Sequence, residues 1–84
     1  MNDTKYEKLM KYEPIFLTAF KSNYARCTRS QYDDMINIYY GDTSTLAYTA
    51  KMGYSCSRCR LNEIKQIARE YFHYAENNTS DIKI

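Results

Sequence analysis

The sequence contains no long run of apolar residues and no apolar leader. A membrane-spanning helix needs about 18 to 20 such residues. The first twenty positions instead interleave Lys5, Lys8 and Lys11 with Glu7 and Glu13. We therefore expect no membrane span, no signal peptide and no membrane partner. The protein is expected to stay in the cytoplasm, where thiols are kept reduced.

Tryptophan is absent, proline occurs once, and the cysteines number only three, at Cys27, Cys56 and Cys59. Three cysteines in a reducing compartment do not make a disulfide framework, so we expect free thiols, metal ligands or a redox pair. With 84 residues the chain can build one hydrophobic core and has little spare area for an enclosed active-site cleft. The prediction is a non-enzymatic protein without a cofactor.

Neither sign of charge is in large excess. The formal net charge is +2, too small to mark the whole chain as a binder of nucleic acid or of membrane surfaces. Tyrosine is abundant instead, with ten residues against three phenylalanines. A tyrosine ring buries apolar area while its hydroxyl needs water or a hydrogen-bond partner. We therefore expect tyrosines at the margin of the core, where they offer a contact surface.

Helical periodicity dominates the first third of the chain. Thr4 and Glu7 form a capping-box pattern that predicts the start of a first helix, which we expect to end near Tyr12. Proline is favourable in a first helical turn, so a second helix is predicted to begin near Pro14, with one kinked helix as the alternative. The apolar stripe of this region contains Tyr6, Leu9, Met10, Phe16, Leu17, Phe20 and Tyr24.

A second capping pattern, Thr28 with Gln31, predicts a third helix that ends at Gly41. The apolar positions of this helix are Tyr32, Met35, Ile36, Tyr39 and Tyr40. Residues 42–54 are harder to assign, because large apolar residues alternate there with polar or small ones, which is the period of a strand. Since no second strand is available for pairing, we expect an irregular connection or a short helix.

The last helix has the clearest pattern. We expect Ser55 to cap it, and the apolar residues that follow are Leu61, Ile64, Ala68, Tyr71 and Ala75. Beyond Ala75 there is no periodicity, so residues 76–84 are predicted to form a flexible tail. The sequence thus predicts an all-α fold: a single domain over residues 1–75, built as a compact bundle of three to four short helices with an irregular connection at residues 42–54.

Cys56 and Cys59 form the only recognisable chemical motif. As zinc ligands they need two more, of which Cys27 is the remaining thiol; His73 is excluded because about 21 Å of helix separates it from Cys59. As a redox pair they lie at a helix N-terminus beside two arginines, which stabilises a thiolate, although the strand context of thioredoxin-like domains is missing. The third interpretation is two buried thiols that fill the join between residues 42–54 and the last helix.

The last helix also offers candidate contact residues. Basic residues with tyrosines nearby are typical of a surface that holds nucleic acid, although interleaved Glu63 and Glu70 also fit an ordinary solvated face. The candidate nucleic-acid-binding residues are Arg58, Arg60, Lys65 and Arg69. The candidate protein-binding residues, at the margins of apolar helix faces, are Tyr39, Tyr40, Tyr71 and Tyr74.

Residues 53–59, Gly-Tyr-Ser-Cys-Ser-Arg-Cys, followed by Ile64, Ile67, Ala68 and Tyr71-Phe72, resemble small proteins of tailed bacteriophages and prophages. Those proteins are rich in Lys, Asn and Tyr and carry Cys-x-x-Cys before a last amphipathic helix. The resemblance covers the second half of the chain and implies a phage origin, hence host cytoplasm or virion, but no activity or site residues.

We predict a non-enzymatic helical protein that binds a protein partner, or a second copy of itself, through an apolar and tyrosine-rich helix face. Nucleic-acid binding through the basic last helix is the first alternative. A zinc or redox role of Cys56 and Cys59 is the second.

Overall fold

The computed structural model describes the backbone of residues 1–82 and the side chains of residues 1–77. Every regular element in this part of the chain is helical. The elements are α1 (Asp3–Leu9), a short 3-10 turn (Met10–Tyr12), α2 (Glu13–Ser22), α3 (Arg29–Tyr40), α4 (Thr45–Lys51) and α5 (Ser57–Ile82). The predicted all-α bundle is confirmed. It has four helices if the almost continuous stretch from α1 to α2 is counted as one kinked helix.

The start of α1 is set by Asn2 rather than by Thr4. The Lys5 amide donates to Asn2 Oδ1 at 2.8 Å and thereby satisfies one of the free amides of the first turn. The cap predicted at Thr4 is therefore wrong by two residues. Pro14 lies in the first turn of α2, as predicted, because its missing amide removes no helical hydrogen bond there. Asn23, with a φ of 54°, ends α2 in the left-handed conformation.

The third helix begins with the predicted capping box. The Gln31 amide donates to Thr28 Oγ1 at 3.1 Å, and the Thr28 amide donates to Gln31 Oε1 at 2.9 Å. Gly41 ends the helix with a φ of +94°, a backbone conformation that residues with a Cβ rarely adopt. These two signals fix the bounds of the helix that carries Met35 and Ile36 into the core.

A short helix, α4, occupies most of the segment predicted to be irregular. Ser44 caps α4 by accepting a hydrogen bond from the Leu46 amide at 3.1 Å. Ala47 and Ala50 are buried, and α4 packs against α3, whereas the larger Leu46 and Tyr48 are exposed. The alternation of large and small residues therefore reflects a helix that buries its alanines, and the irregular backbone is confined to the turns on either side.

The last helix, α5, is longer than predicted. It begins at Ser57, two residues after the expected Ser55 cap, and it continues to Ile82, so the predicted end near Ala75 is wrong. Ile64, Ala68 and Tyr71 of the predicted stripe are buried, together with the flanking Ile67, whereas Leu61 and Ala75 are only half-buried. Of the tail predicted at residues 76–84, residues 83–84 and the side chains from residue 78 onward lie outside the described residues.

Tyrosine contributes to the core itself and not only to its margin. Tyr32 and Tyr71 are the largest fully buried side chains. The Tyr32 hydroxyl donates to the Ala50 carbonyl at 2.8 Å, and the Tyr71 hydroxyl donates to the Glu13 carboxylate at 2.8 Å, so neither polar tip is buried without a partner. The molecule is flat, with extents of 44 × 31 × 16 Å, which is the thickness of two helical layers with one layer of side chains between them.

Candidate functional site

Two stretches of the chain contain no acidic residue, and the structure packs them together. Residues 14–32 hold three basic and no acidic residues, and so do residues 43–62. The Tyr54 hydroxyl joins the two stretches by donating to the Cys27 carbonyl at 2.8 Å. Arg60 Nε does so by donating to the Ala25 carbonyl at 3.1 Å. The joined stretches hold six basic residues and no acidic one, and the adjoining Asp33 pairs with Arg29 at 3.4 Å, so this side of the chain carries an excess of positive charge.

Tyr54 lies at the centre of this basic side. Two guanidinium groups lie over its ring, Arg29 at 5.4 Å and Arg60 at 5.2 Å from the ring centroid. Arg60 also donates to the carbonyl of Tyr54 at 2.6 Å, and the ring of Tyr32 packs at a centroid distance of 5.5 Å. Because the face of an aromatic ring attracts cations, Tyr54 holds the start of α3 and the start of α5 together.

A cleft of about 440 Å³ opens between the loop after α2 and the first turns of α5. It is lined by Arg58, Arg60 and Lys65, which are three of the four predicted nucleic-acid-binding residues, and by the exposed ring of Tyr24. The remaining lining residues are Asn23, Ala25, Ser57, Leu61 and Asn62, so no described wall of the cleft is acidic. We refer to it as the basic cleft. An anionic group fits it, because no carboxylate neutralises its cations.

Two of the predicted basic residues are already bonded within the protein. Two backbone carbonyls accept hydrogen bonds from the Arg60 guanidinium, and Asn23 Oδ1 accepts one from Lys65 Nζ. Arg58 lines the cleft, and its guanidinium makes no hydrogen bond or ion pair with the described residues. Arg69 lies apart from the cleft, in a shallow depression on α5. The structure therefore brings three of the four residues together and leaves only Arg58 of these three with an unbonded charge.

The four tyrosines predicted to bind a partner have different environments. Tyr71 is only 1% exposed and belongs to the core, so for this residue the prediction of a contact surface is wrong. Tyr74 is half-buried and packs its ring 5.1 Å from that of a tyrosine in α1. Tyr39 and Tyr40 meet edge to face at 4.8 Å, and the Tyr40 hydroxyl donates to Glu63 at 2.8 Å. Burial, followed by this bond to Glu63, raises the pKa of Tyr40 to about 12.

The apolar surface of α2 consists of side chains that the periodicity assigns to the core. Leu17 and Phe20 on α2 are 38% and 43% exposed, Tyr24 in the loop just after α2 is 55% exposed, and we call these three residues the α2 face. The ring of Phe20 packs 5.9 Å from that of the half-buried Phe72. The neighbouring Phe16 is buried instead. The exposed residues and the buried Phe16 all belong to one apolar pattern with a spacing of three or four, so the spacing alone does not indicate which of them are buried. Among the side chains that the structure describes, the other large exposed apolar ones are Met10, Leu46, Tyr48 and Met52.

Cys56 and Cys59 are both exposed at the start of α5, so the interpretation as buried thiols is wrong. The Cys59 amide donates to Cys56 Sγ at 3.3 Å, and the sulfur thus acts as a helix cap. A hydrogen bond from the Cys59 thiol, together with this amide, holds the pKa of Cys56 below its ordinary value. The same thiol contact raises the pKa of Cys59. Cys27 is half-buried, and burial raises its pKa.

The alternative zinc site is not formed within the described residues. No three Cys, His, Asp or Glu side chains in that part of the chain lie close enough together to hold a metal ion. A structural zinc site needs four ligands. The combination of Cys27 with Cys56 and Cys59 is therefore not supported within one chain. His73 is exposed on α5 and lies 3.1 Å from the side-chain amide of Asn77.

A wider depression of about 710 Å³ lies between α1 and α3. Lys5, Lys8 and Lys11 line it, but so do Asp34 and Asp42. The Lys5 ammonium donates to a backbone carbonyl of α3 at 3.0 Å, and Lys11 pairs with Asp34 at 3.2 Å. Because its charges are of both signs, this depression is a less selective surface for an anion than the basic cleft.

No protein-family model, no curated protein and no solved structure matches this chain. In the described part of the chain, no helix combines the length and the apolar character needed to cross a bilayer. The basic cleft, the α2 face and the pair of thiols are thus the features from which a function can be inferred.

Proposed function

We propose that this protein binds a partner protein through the α2 face and the adjoining basic cleft, and that the bound segment carries apolar side chains followed by acidic ones. The observation that carries the proposal is the position of Tyr24. It is a large exposed side chain of the α2 face and at the same time part of the wall of the basic cleft. An apolar surface and a cationic surface therefore adjoin at one residue.

The apolar part of the proposed interface is supported by exposure. Leu17 and Phe20 are exposed on α2, and the ring of Phe20 contacts that of the half-buried Phe72 of α5. An aromatic patch of this kind is typical of the centre of a protein interface, where large rings lose contact with water. Covering it with apolar side chains of a partner is favourable because exposed apolar area is removed from water.

The charge around the α2 face supports an acidic partner rather than a second copy. Lys21 and Arg26 flank Tyr24 in sequence, Arg58 adds a third cation from α5, and residues 14–32 contain no carboxylate. Two copies that meet through this face would bring like charges together, which is unfavourable. A segment with Asp or Glu beside its apolar residues complements both parts of the surface.

Nucleic acid is a weaker fit to the same cleft. Binding to a phosphate backbone draws its affinity from several cations that neutralise several phosphates. The Arg60 guanidinium and the Lys65 ammonium are already bonded inside the protein, and Arg69 lies elsewhere on α5. The exposed apolar residues of α2 would also remain uncovered by phosphates.

The proposed role is that of a small non-enzymatic binding protein that acts in the cytoplasm. If the likeness of residues 53–72 to phage proteins reflects common origin, the partner is a virion component or a host protein.

The proposal is tested by selecting peptides from a random display library on the immobilised chain. The affinity of the selected peptides is then measured by fluorescence anisotropy. We expect enrichment of peptides in which aromatic or aliphatic residues adjoin Asp or Glu. Phe20→Glu and Arg58→Glu should each weaken binding by about tenfold or more. The first removes an apolar contact, and the second removes a cation that pairs with the acidic residues of the peptide.

Matched controls are available for both substitutions. Tyr48→Glu changes a more exposed ring on α4, and Arg69→Glu reverses a charge outside the cleft, so neither should change the affinity. Failure to enrich peptides, or enrichment without acidic residues, would contradict the proposal. Salt-sensitive binding of a single-stranded oligonucleotide that Arg58→Glu abolishes would favour nucleic acid instead. A dimer in light scattering that Phe20→Glu dissociates would favour self-association.

A further inference from the structure

The two exposed thiols at the start of α5 are not used by the proposed binding surface. We propose that Cys56 and Cys59 form a site for dithiol–disulfide exchange, in which Cys56 attacks an external disulfide and Cys59 resolves the product. This activity is separate from partner binding and depends on the two thiols, although Arg58 of the basic cleft adjoins both sites. It is supported by the spacing of the two residues, by the contacts of each sulfur and by the surrounding charge.

The spacing allows the two sulfurs to be joined without rearrangement of the backbone. The Arg60 amide donates to the Cys56 carbonyl at 2.9 Å, so the first turn of α5 closes around the pair. Residues three positions apart on such a turn have Cα atoms about 5 Å apart. Disulfides bridge Cα atoms that are roughly 4.4 to 6.8 Å apart. The Cα separation of this turn therefore lies within the range that a disulfide spans.

The contacts of the sulfurs give the two residues different roles. Cys56 Sγ accepts the Cys59 amide at 3.3 Å, at the end of a helix where the dipole favours negative charge. Arg58, between the two cysteines, contributes a positive charge. Both effects favour the thiolate of Cys56, in line with its lowered pKa. The pKa of Cys59 is raised by its bond to Cys56, which makes Cys59 the weaker acid of the pair.

The turn before α5 holds Cys59 close to its partner. A Cβ atom placed on Gly53 would lie 3.1 Å from Cys59 Cβ, so the side chain of Cys59 packs directly on the backbone of this turn. The Gly53 carbonyl in turn accepts the Cys56 amide at 3.1 Å. Gly53 therefore determines the positions of both cysteines. The Cβ atom of Cys59 lies against this turn, and the side chains of both cysteines are exposed to an incoming disulfide.

The proposed reaction transfers two electrons from the thiol pair to a low-molecular-weight disulfide. Cys56 loses its proton to water, and its thiolate attacks one sulfur of the external disulfide. The external S–S bond breaks, and the first thiolate leaves and takes up a proton. The Cys59 thiol then loses its proton and attacks Cys56 Sγ, which displaces the second thiolate. The products are a Cys56–Cys59 disulfide and two external thiols.

The adjoining charge selects the class of disulfide. Arg58 lies between the two cysteines and also lines the basic cleft, which has no described acidic wall. A disulfide that carries carboxylates is therefore attracted to the site, whereas one that carries ammonium groups is repelled. Glutathione disulfide is a suitable anionic probe, and cystamine is the matched cationic probe.

The experiment follows the reaction of the full chain with glutathione disulfide by mass spectrometry, in a Cys27→Ala background that removes the third thiol. We expect the chain with both cysteines to form the internal disulfide without accumulating glutathione adducts. Cys59→Ser should accumulate a stable mixed disulfide on Cys56. Cys56→Ser should react at Cys59 at least about tenfold more slowly, because Cys59 lacks the backbone amide contact that stabilises a thiolate at Cys56.

Circular dichroism of each variant confirms that the helices are intact before rates are compared. Equal rates for Cys59→Ser and Cys56→Ser would overturn the assignment of roles. Accumulation of two glutathiones on the chain with both cysteines, without an internal disulfide, would overturn the exchange site as a whole. Faster reaction with cystamine than with glutathione disulfide would overturn the preference for anionic disulfides. None of these results changes the binding expected at Phe20, so the two proposals fail independently.

Discussion

At the scale of single residues, the guanidinium group of Arg60 illustrates how a long side chain can join distant parts of a small protein. It donates to the carbonyls of Ala25 and Tyr54 and lies over the Tyr54 ring. A surface arginine is a normal expectation for a charged position on an amphipathic helix, and nothing local to the sequence indicates these partners. Arg60 is thus a residue of the basic cleft whose contacts stabilise the fold.

We expect Arg60→Gln to lower the free energy of unfolding by about 1.5 to 3 kcal/mol, because two hydrogen bonds from a charged donor and a cation–π contact are lost together. Arg58→Gln, two positions earlier and without such bonds, should change it by less than about 0.5 kcal/mol. Urea unfolding followed by circular dichroism measures both. Equal stabilities of the two variants would mean that the Arg60 contacts contribute nothing in solution.

The tyrosines show why side-chain partners are hard to derive from sequence. The abundance of tyrosine correctly indicates residues with one apolar and one polar end. It does not indicate that Tyr71 reaches Glu13, 58 positions away, or that Tyr32 reaches a carbonyl of α4. Those partners depend on how the helices pack, so Tyr71 is mistaken for a surface residue when only its own helix is considered.

At the scale of elements, local signals locate helices well and their ends less well. The capping box at Thr28 and the stop at Gly41 are both present as predicted. The start of α1 lies two residues earlier than the Thr4 signal, because Asn2 is an equally good cap and lets the helix gain one more half-turn. The C-terminus of α5 extends past Ala75 because a helix can continue without an apolar face once packing has stabilised its first turns.

Substitution of the two threonines separates a cap that is used from one that is not. Thr28→Ala should lower the free energy of unfolding by about 1 kcal/mol, since the Gln31 amide loses its acceptor at the start of α3. Thr4→Ala should have almost no effect, because the cap of α1 is Asn2. Thermal unfolding of both variants in the same buffer makes the comparison. A larger loss for Thr4→Ala would place the start of α1 at Thr4 after all.

The candidate site could be predicted only in part from the sequence. The Cys-x-x-Cys pair at a helix N-terminus and three of the four clustered basic residues are visible in the linear chain. The absence of acidic residues from 14–32 and 43–62 is a further signal in the sequence. It indicates a basic surface only once the structure shows that the two stretches pack together. The exposure of Leu17 and Phe20 could not be derived, since it depends on which side of α2 turns toward α5.

At the scale of the whole molecule, stability depends on protonated tyrosines. Burial raises the pKa of Tyr12, Tyr32 and Tyr71 above the ordinary value, and it raises that of Tyr40 to about 12. The folded chain therefore keeps protons that the unfolded chain releases near pH 10. The resulting stability is fully present below about pH 10 and is lost progressively as the pH rises toward and through the folded pKa values.

We expect the midpoint of urea unfolding to fall markedly between about pH 8 and about pH 11, over which the unfolded tyrosines ionise. The ultraviolet absorbance of tyrosinate should rise in two steps, the second coinciding with loss of helix in circular dichroism. The Tyr40→Phe variant should show a smaller fall of the midpoint, because one of the shifted groups is gone. An unchanged midpoint for the unsubstituted chain, or ionisation of all ten tyrosines in one step while the helices persist, would contradict this expectation.

Because the molecule is only 16 Å thick, its core residues lie close to its surface. Phe16 is fully buried, yet its ring meets that of Phe72 at 6.4 Å, and Phe72 meets the exposed ring of Phe20 at 5.9 Å. A chain of three aromatic rings thus leads from solvent to the middle of the bundle. A molecule that binds at Phe20 therefore contacts a ring that is only one ring removed from the buried Phe16.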